Sequence, residues 1–226
     1  MKTKTLKHLL LLTAALTLTT SSTWAAPNQA PEATKPFITE APAGAYGIDP
    51  SHADLSFRVN HLGFSAYTAR FTSFSAQLQF DPANPNAMSV TATIDPRSLA
   101  LPAPPEGFLD TLLSPAWLDA AQFRQITFRS THVEATQTNT VRISGDLTLH
   151  GVTKPVILNA TFNGGYAGHP FDPNARIGFS ARGNFNRSDF GLTMGIPAPG
   201  STMGVGDTID VIIEAEFTGP PLKTVQ

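Results

Sequence analysis

Apolar and polar side chains trade places with a period of two, run after run, from Tyr46 to Phe217. In the first run Ala53, Leu55, Phe57 and Val59 share one face, while Asp54, Ser56, Arg58 and Asn60 share the other. Such a period gives a strand one dry face and one wet face, which is the pattern of half-buried antiparallel sheet. A second run covers about 66–80, and its phase slips between Phe71 and Phe74; one inserted residue swaps the faces, so a bulge is expected there. Met88, Val90, Ala92 and Ile94 alternate again after a turn at 81–86. Further strands are expected near 124–133, 141–149, 154–166, 175–187 and 208–217, about eight in all. Between two of them His150-Gly151 breaks the alternation and predicts a tight turn.

One segment has a different period. Over 104–121 the spacing of Phe108, Leu109, Leu112 and Leu113 is helical, opened by Pro104-Pro105 and stopped by Ser114-Pro115. A second short turn at 115–120 presents Trp117 and Leu118. With so little helix, nothing is available to cover both faces of an open sheet. The stable solutions are a closed barrel or two packed sheets, with the apolar faces inward. Small inward residues (Ala53, Ala92, Ala160, Ala181, Gly183, Ala215) alternate with large ones such as Phe57, Phe128, Phe162, Phe179 and Phe185. An eight-stranded barrel is just wide enough to be filled by side chains or to hold a slender ligand. Composition alone leaves both readings open.

The ends of the chain read differently. Lys2, Lys4 and Lys7 precede the apolar run that opens at Leu9, and Thr23-Trp24-Ala25 supplies a signal-peptidase site, so residues 1–25 are expected to be a cleaved leader. Residues 26–43, rich in Pro, Ala, Thr and Glu, read as a flexible spacer. The barrel is expected over 44–219 and a tail over 220–226. Loss of the leader removes three lysines and leaves twelve basic against seventeen acidic residues, a charge of −5. That balance argues against nucleic acid or an anionic membrane as the partner. The chain has no cysteine, which excludes disulfides, thiolate metal sites and a lipidated cysteine. A periplasmic protein that is not a lipoprotein fits these features.

Catalytic and metal patterns are thin. His52 and His61 lie nine residues apart on one expected strand, about 30 Å at 3.3 Å per residue and on opposite faces, so they cannot share a metal. No HExxH or closely spaced ligand cluster is present. The run 178–182 misses the nucleophile elbow at its last position, and Gly200, Gly204 and Gly206 lack the Lys-Ser/Thr of a phosphate loop. Asp189 and Asp207 read as turn and cap residues. No catalytic residue, metal or cofactor is expected. The connection 188–203 carries Phe190, Leu192, Met194, Ile196 and Met203, which makes it a lid over the barrel mouth or a plug folded into it.

Several ordered pieces carry a resemblance. They are Tyr46-Gly47-Ile48-Asp49-Pro50 running into Phe57-Arg58-Val59-Asn60-His61, Phe80-Asp81-Pro82, and the stretch from Leu118 to Thr131. Then come the stretch from Gly145 to Val156, Arg187-Ser188-Asp189-Phe190-Gly191, and Val205-Gly206-Asp207. Together they resemble the YceI-like family of exported, lipocalin-like proteins associated with polyisoprenoid lipids. The resemblance implies an all-β fold: an extended eight-stranded antiparallel barrel with one or two short helices between strands and a hydrophobic tunnel. It also implies a carrier of a long-chain isoprenoid, quinone-like or fatty amphiphile. Phe57, Phe71, Phe128, Phe162, Phe179, Phe185 and Ile213 are the expected tunnel lining; Phe190, Leu192, Met194 and Arg187 are the expected mouth or lid. Arg58, Arg129, Arg182 and Arg187 compete for the head group. Where relatives carry a charged stretch before the short helices, this chain has the apolar, proline-rich run 101–108. The other reading is a filled barrel that binds a protein partner, in stress response or beside a membrane redox component, through 188–203. An enzyme assembled from His52, His150 and Asp189 is a third. A homodimer is left open.

Overall fold

Long strands whose inner faces are apolar along their whole length close on themselves when the first can pair with the last. The computed structural model describes residues 37–222, and in it β1 (Gly44–His61) pairs antiparallel with β10 (Val205–Pro221). Leu55 sits opposite Ile213 and Phe57 opposite Val211. The intervening strands are β2 (Ser65–Phe71), β3 (Phe74–Phe80), β4 (Ser89–Ile94), β5 (Leu99–Ala100), β6 (Ile126–Gln137), β7 (Thr140–Leu149), β8 (Val152–Tyr166) and β9 (Asn174–Asn186), with helix α1 (Phe108–Leu113) between β5 and β6. The ring runs β1-β3-β4-β6-β7-β8-β9-β10 and back to β1, an eight-stranded antiparallel barrel. Strand β2 pairs with the second half of β1, and β5 adds to its edge.

The phase slip is real and has a visible cause. The expected second strand divides at Thr72-Ser73: Ala69 and Phe71 face inward before it, Ala76, Leu78 and Phe80 after it. β1 changes partner at the same place, pairing β3 from Gly44 to Gly47 and β2 from Leu55 to His61. Its pairing with β10 breaks between Ile48 and Ala53, where Pro50 has no N–H to give the ladder. The β7–β8 turn is the two-residue type with both centres left-handed, His150 at φ 52° and Gly151 at φ 74°.

Two outer boundaries differ from expectation. The spacer was placed over 26–43, yet Phe37 and Ala41 are buried in the core, with Phe37 4% exposed. An aromatic ring next to an open barrel end gains more by burial than the segment loses by ordering. The tail was placed over 220–226, but β10 runs through Pro221. The leader and the rest of the spacer, residues 1–36, lie outside the described residues, as do 223–226.

Candidate functional site

The two ends of the barrel are built differently. At one end lie the start of β1, the end of β10 and the β3–β4, β6–β7 and β8–β9 turns; aromatic rings fill it. Phe80 from β3 and Phe162 from β8 meet across the axis at 5.6 Å between centroids. Phe37 stacks on Phe162 at 4.8 Å, and Tyr46 and Phe179 pack edge-on to Phe80. Burial pushes the Tyr46 hydroxyl up to about 12, and it donates to the carbonyl of Pro42. At the other end stand the β1–β2 and β7–β8 turns, α1 with its flanks, and the connection 188–203.

Between them the barrel is hollow. A cavity of about 380 Å³ runs from Phe179 and Phe217 to Leu101, Phe108, Leu112 and Trp117. That is within the range of small-molecule sites, about 300–1,000 Å³. Its wall is hydrocarbon almost throughout, from Leu55 and Val59 on β1 to Val211 and Ile213 on β10. No histidine or carboxylate stands among the described residues that line it. Small inward residues leave this space: Ala92, Ala160 and Ala181 put only methyl groups on the wall, Ala160 and Ala181 as a pair on the adjacent strands β8 and β9. Gly145 on β7 serves the same geometry. The Phe128 ring lies over it, and an added Cβ there would stand 2.4 Å from Phe128 Cζ.

Of the expected tunnel residues, Phe57, Phe71, Phe128, Phe179, Phe185 and Ile213 line this cavity. Phe162 does not, because it belongs to the aromatic layer behind Phe179. The expected mouth residues separate. Phe190 is 1% exposed and packs edge-on to Phe185 at 5.2 Å, and Leu192 is also buried, so this part of the connection is a plug. Met194 and Met203 are exposed.

Arg187 holds the plug. Its guanidinium, buried at 5% exposure, donates to the carbonyls of Leu192 (2.7 Å), Met194 (2.9 Å), Val205 (2.9 Å) and Gly206 (2.9 Å) and lies 5.7 Å from the Trp117 ring. Burial lowers its pKa from the usual arginine value, and the charge of Asp207 offsets part of that. Asp207 also accepts from the N–H and hydroxyl of Ser188, the cap role expected for it. Arg58, Arg129 and Arg182 stand exposed on the outer face, away from the cavity. His150 Nδ1 sits 3.3 Å from the Phe190 carbonyl while His52 lies far off beside Asp49, so the imagined assembly of His52, His150 and Asp189 is not formed.

A group of possible metal ligands, Asp49, His52 and Glu216, lies on the outer face toward the aromatic end. Arg176 already occupies it, 2.5 Å from Asp49 and 3.6 Å from Glu216, with Asp172 on its other side. The Arg176 guanidinium, with His52 second, holds the Asp49 carboxyl well below the usual carboxylate range.

Sequence reasoning missed the aromatic layer that closes the far end. Phe37 and Ile38 are the only large apolar residues between Pro27 and Ala43, and that pair was the available signal. The sequence places Leu101 and Phe108 in the apolar run that stands where relatives are charged, and Trp117 in a short helical turn; in the structure all three line the cavity.

Known proteins share this architecture. Residues 46–217 match the family model described as the YceI-like domain. A UPF0312 protein of Vibrio cholerae is 35% identical over 178 residues, covering 78% of this chain and 88% of the relative, and a UPF0312 protein of Pseudomonas savastanoi is equally similar over 181. Among solved structures, the YCEI protein of Campylobacter jejuni superposes with a TM-score of 0.59 at 28% identity, over 70% of this chain and 88% of that one. BcnA of Burkholderia cenocepacia gives 0.63 at 24% identity, over 75% and 98%. A polyisoprenoid binding domain from Saccharophagus degradans gives 0.54 at 15% identity, over 77% and 98%, a likeness of fold. By the span of the domain match and the identity to these relatives, the chain belongs to the YceI-like family.

Proposed function

We propose that this protein is an exported, periplasmic carrier that holds a long-chain isoprenoid, or a quinone-like or fatty amphiphile, lengthwise inside its barrel. The observation that carries this reading is the cavity of about 380 Å³ with its nearly continuous apolar wall. Each methylene moved from water into such a wall contributes about 0.8 kcal/mol, so three isoprene units give roughly 10 kcal/mol before ordering and rigid-body costs. The chain of the ligand therefore supplies the affinity, and selection is by length and girth. The head group remains near the mouth, where Leu101 and Phe108 from the run that replaces the charged stretch of relatives, with Trp117 beside them, favour a weakly polar group. The solved fold neighbour from Saccharophagus, described as polyisoprenoid binding, supports the ligand class. The leader composition supports export.

Trp117 is a built-in probe, since it lines the mouth and is the one tryptophan left once the leader is removed. Delipidated protein titrated with farnesol, geranylgeraniol and a short-tailed ubiquinone should show a saturable change in Trp117 fluorescence with one equivalent bound. Absence of uptake for all three, in protein shown to be folded, overturns the proposal.

A further inference from the structure

We infer that Phe37 is a length gauge: a removable stopper, supplied by the segment before the barrel, that sets how long a hydrocarbon the cavity accepts. This rests on the carrier reading above. Strands β3 and β8 stand four places apart in the ring of eight, on opposite walls. The segment before β1 spans the end between them. Phe37 N–H donates to the carbonyl of Pro82, just after β3, at 2.8 Å. The Thr39 hydroxyl donates to the carbonyl of Gly165 on β8 at 3.1 Å, and the Ala41 N–H donates back to the Thr39 hydroxyl at 3.0 Å.

Only one of its two large side chains is inserted. Phe37 is 4% exposed, whereas Ile38 beside it is 80% exposed. The Phe37 ring is parallel to Phe162 within 4° and also touches Phe80 and Phe179, at 6.1 Å each. Phe179 and Phe217 are the last rings that line the cavity on this side, so Phe37, Phe80 and Phe162 form the layer that stops it. Phe80 and Phe162 belong to barrel strands and cannot leave without breaking the core. Phe37 belongs to no strand and hangs on a few hydrogen bonds. It is the one member of the stop whose loss extends the channel toward the end of the barrel.

The test uses the full mature chain, delipidated, against a ladder of all-trans prenols: geraniol, farnesol, geranylgeraniol and the next longer homologue. Binding is followed by native mass spectrometry and Trp117 fluorescence for wild type and Phe37→Ala, with Phe37→Leu as the milder variant should the first fail to fold. Wild type should show a sharp upper length limit. In the variants that limit should move up by one isoprene unit, the first excluded prenol binding at least about tenfold tighter than to wild type. An unchanged limit, or an equal gain for every prenol, overturns the length gauge while leaving the carrier reading in place. Failure of wild type to bind any member overturns both.

Discussion

Ala181→Phe distinguishes a hollow barrel from a solid one by the sign of its effect. Ala181 lies on β9, opposite Ala160 on β8 and Ile213 on β10, with its methyl group on the cavity wall. The substitution adds about 100 Å³ of side chain. In a void of about 380 Å³ this removes cavity instead of creating strain, and at about 24 cal/mol per Å³ the gain is about 2.4 kcal/mol before rotamer costs. The same ring occupies the space of about four methylenes of ligand, worth about 3 kcal/mol at 0.8 each, so prenol binding should weaken by about a hundredfold. Urea unfolding of ligand-free protein reads the first effect, and Trp117 titration with geranylgeraniol reads the second. Overpacking a filled core costs about 1–3 kcal/mol. A destabilised Ala181→Phe protein whose prenol affinity is unchanged would refute the reasoning.

The other predictions concern the parts that shape the cavity. Arg187→Met leaves four carbonyls, that of Leu192 buried and the others partly so, without their donor and should destabilise the protein by about 3 kcal/mol, with faster amide exchange confined to 188–205. Gly145→Ala sets a methyl against the Phe128 ring and the Arg129 carbonyl and should cost about 1–3 kcal/mol; a double-mutant cycle with Phe128→Leu should show strong coupling. Asp49 is pulled below its ordinary 3.8 by Arg176, so the stability it confers is present in full above that pH and is lost as pH falls through the depressed value. Acid titration of unfolding should therefore show a flatter decline for Asp49→Asn than for wild type below about pH 4.

What the residue pattern discloses is decided by how local the cause is. The faces of β1, the phase slip at 71–74 and the turn at His150-Gly151 are set by neighbours within a few positions, and all are readable from alternation and turn chemistry. Closure follows from the absence of anything to cover an open sheet. The hollow interior was not decidable, because it depends on which layers along the axis carry small residues and which carry rings that meet: Ala160 and Ala181, paired on adjacent strands, leave space, whereas Phe80 and Phe162, from opposite walls, close it. Phe162 was assigned to the tunnel for that reason; its inward phase was read correctly, but its layer was not. Phe37 escaped because a proline-rich composition dominates its surroundings, and a single inserted ring has no period. The division of 188–203 into a buried Phe190-Leu192 plug and exposed methionines is set by Arg187, whose carbonyl partners lie up to nineteen residues away.

A crystal structure of the delipidated protein soaked with geranylgeraniol tests the central claim most directly. The account requires continuous density for the prenyl chain inside the barrel, its tail against Phe179 and its hydroxyl near Trp117. Density on the outer surface alone, or an interior closed by side chains meeting across the axis between those two residues, would contradict it.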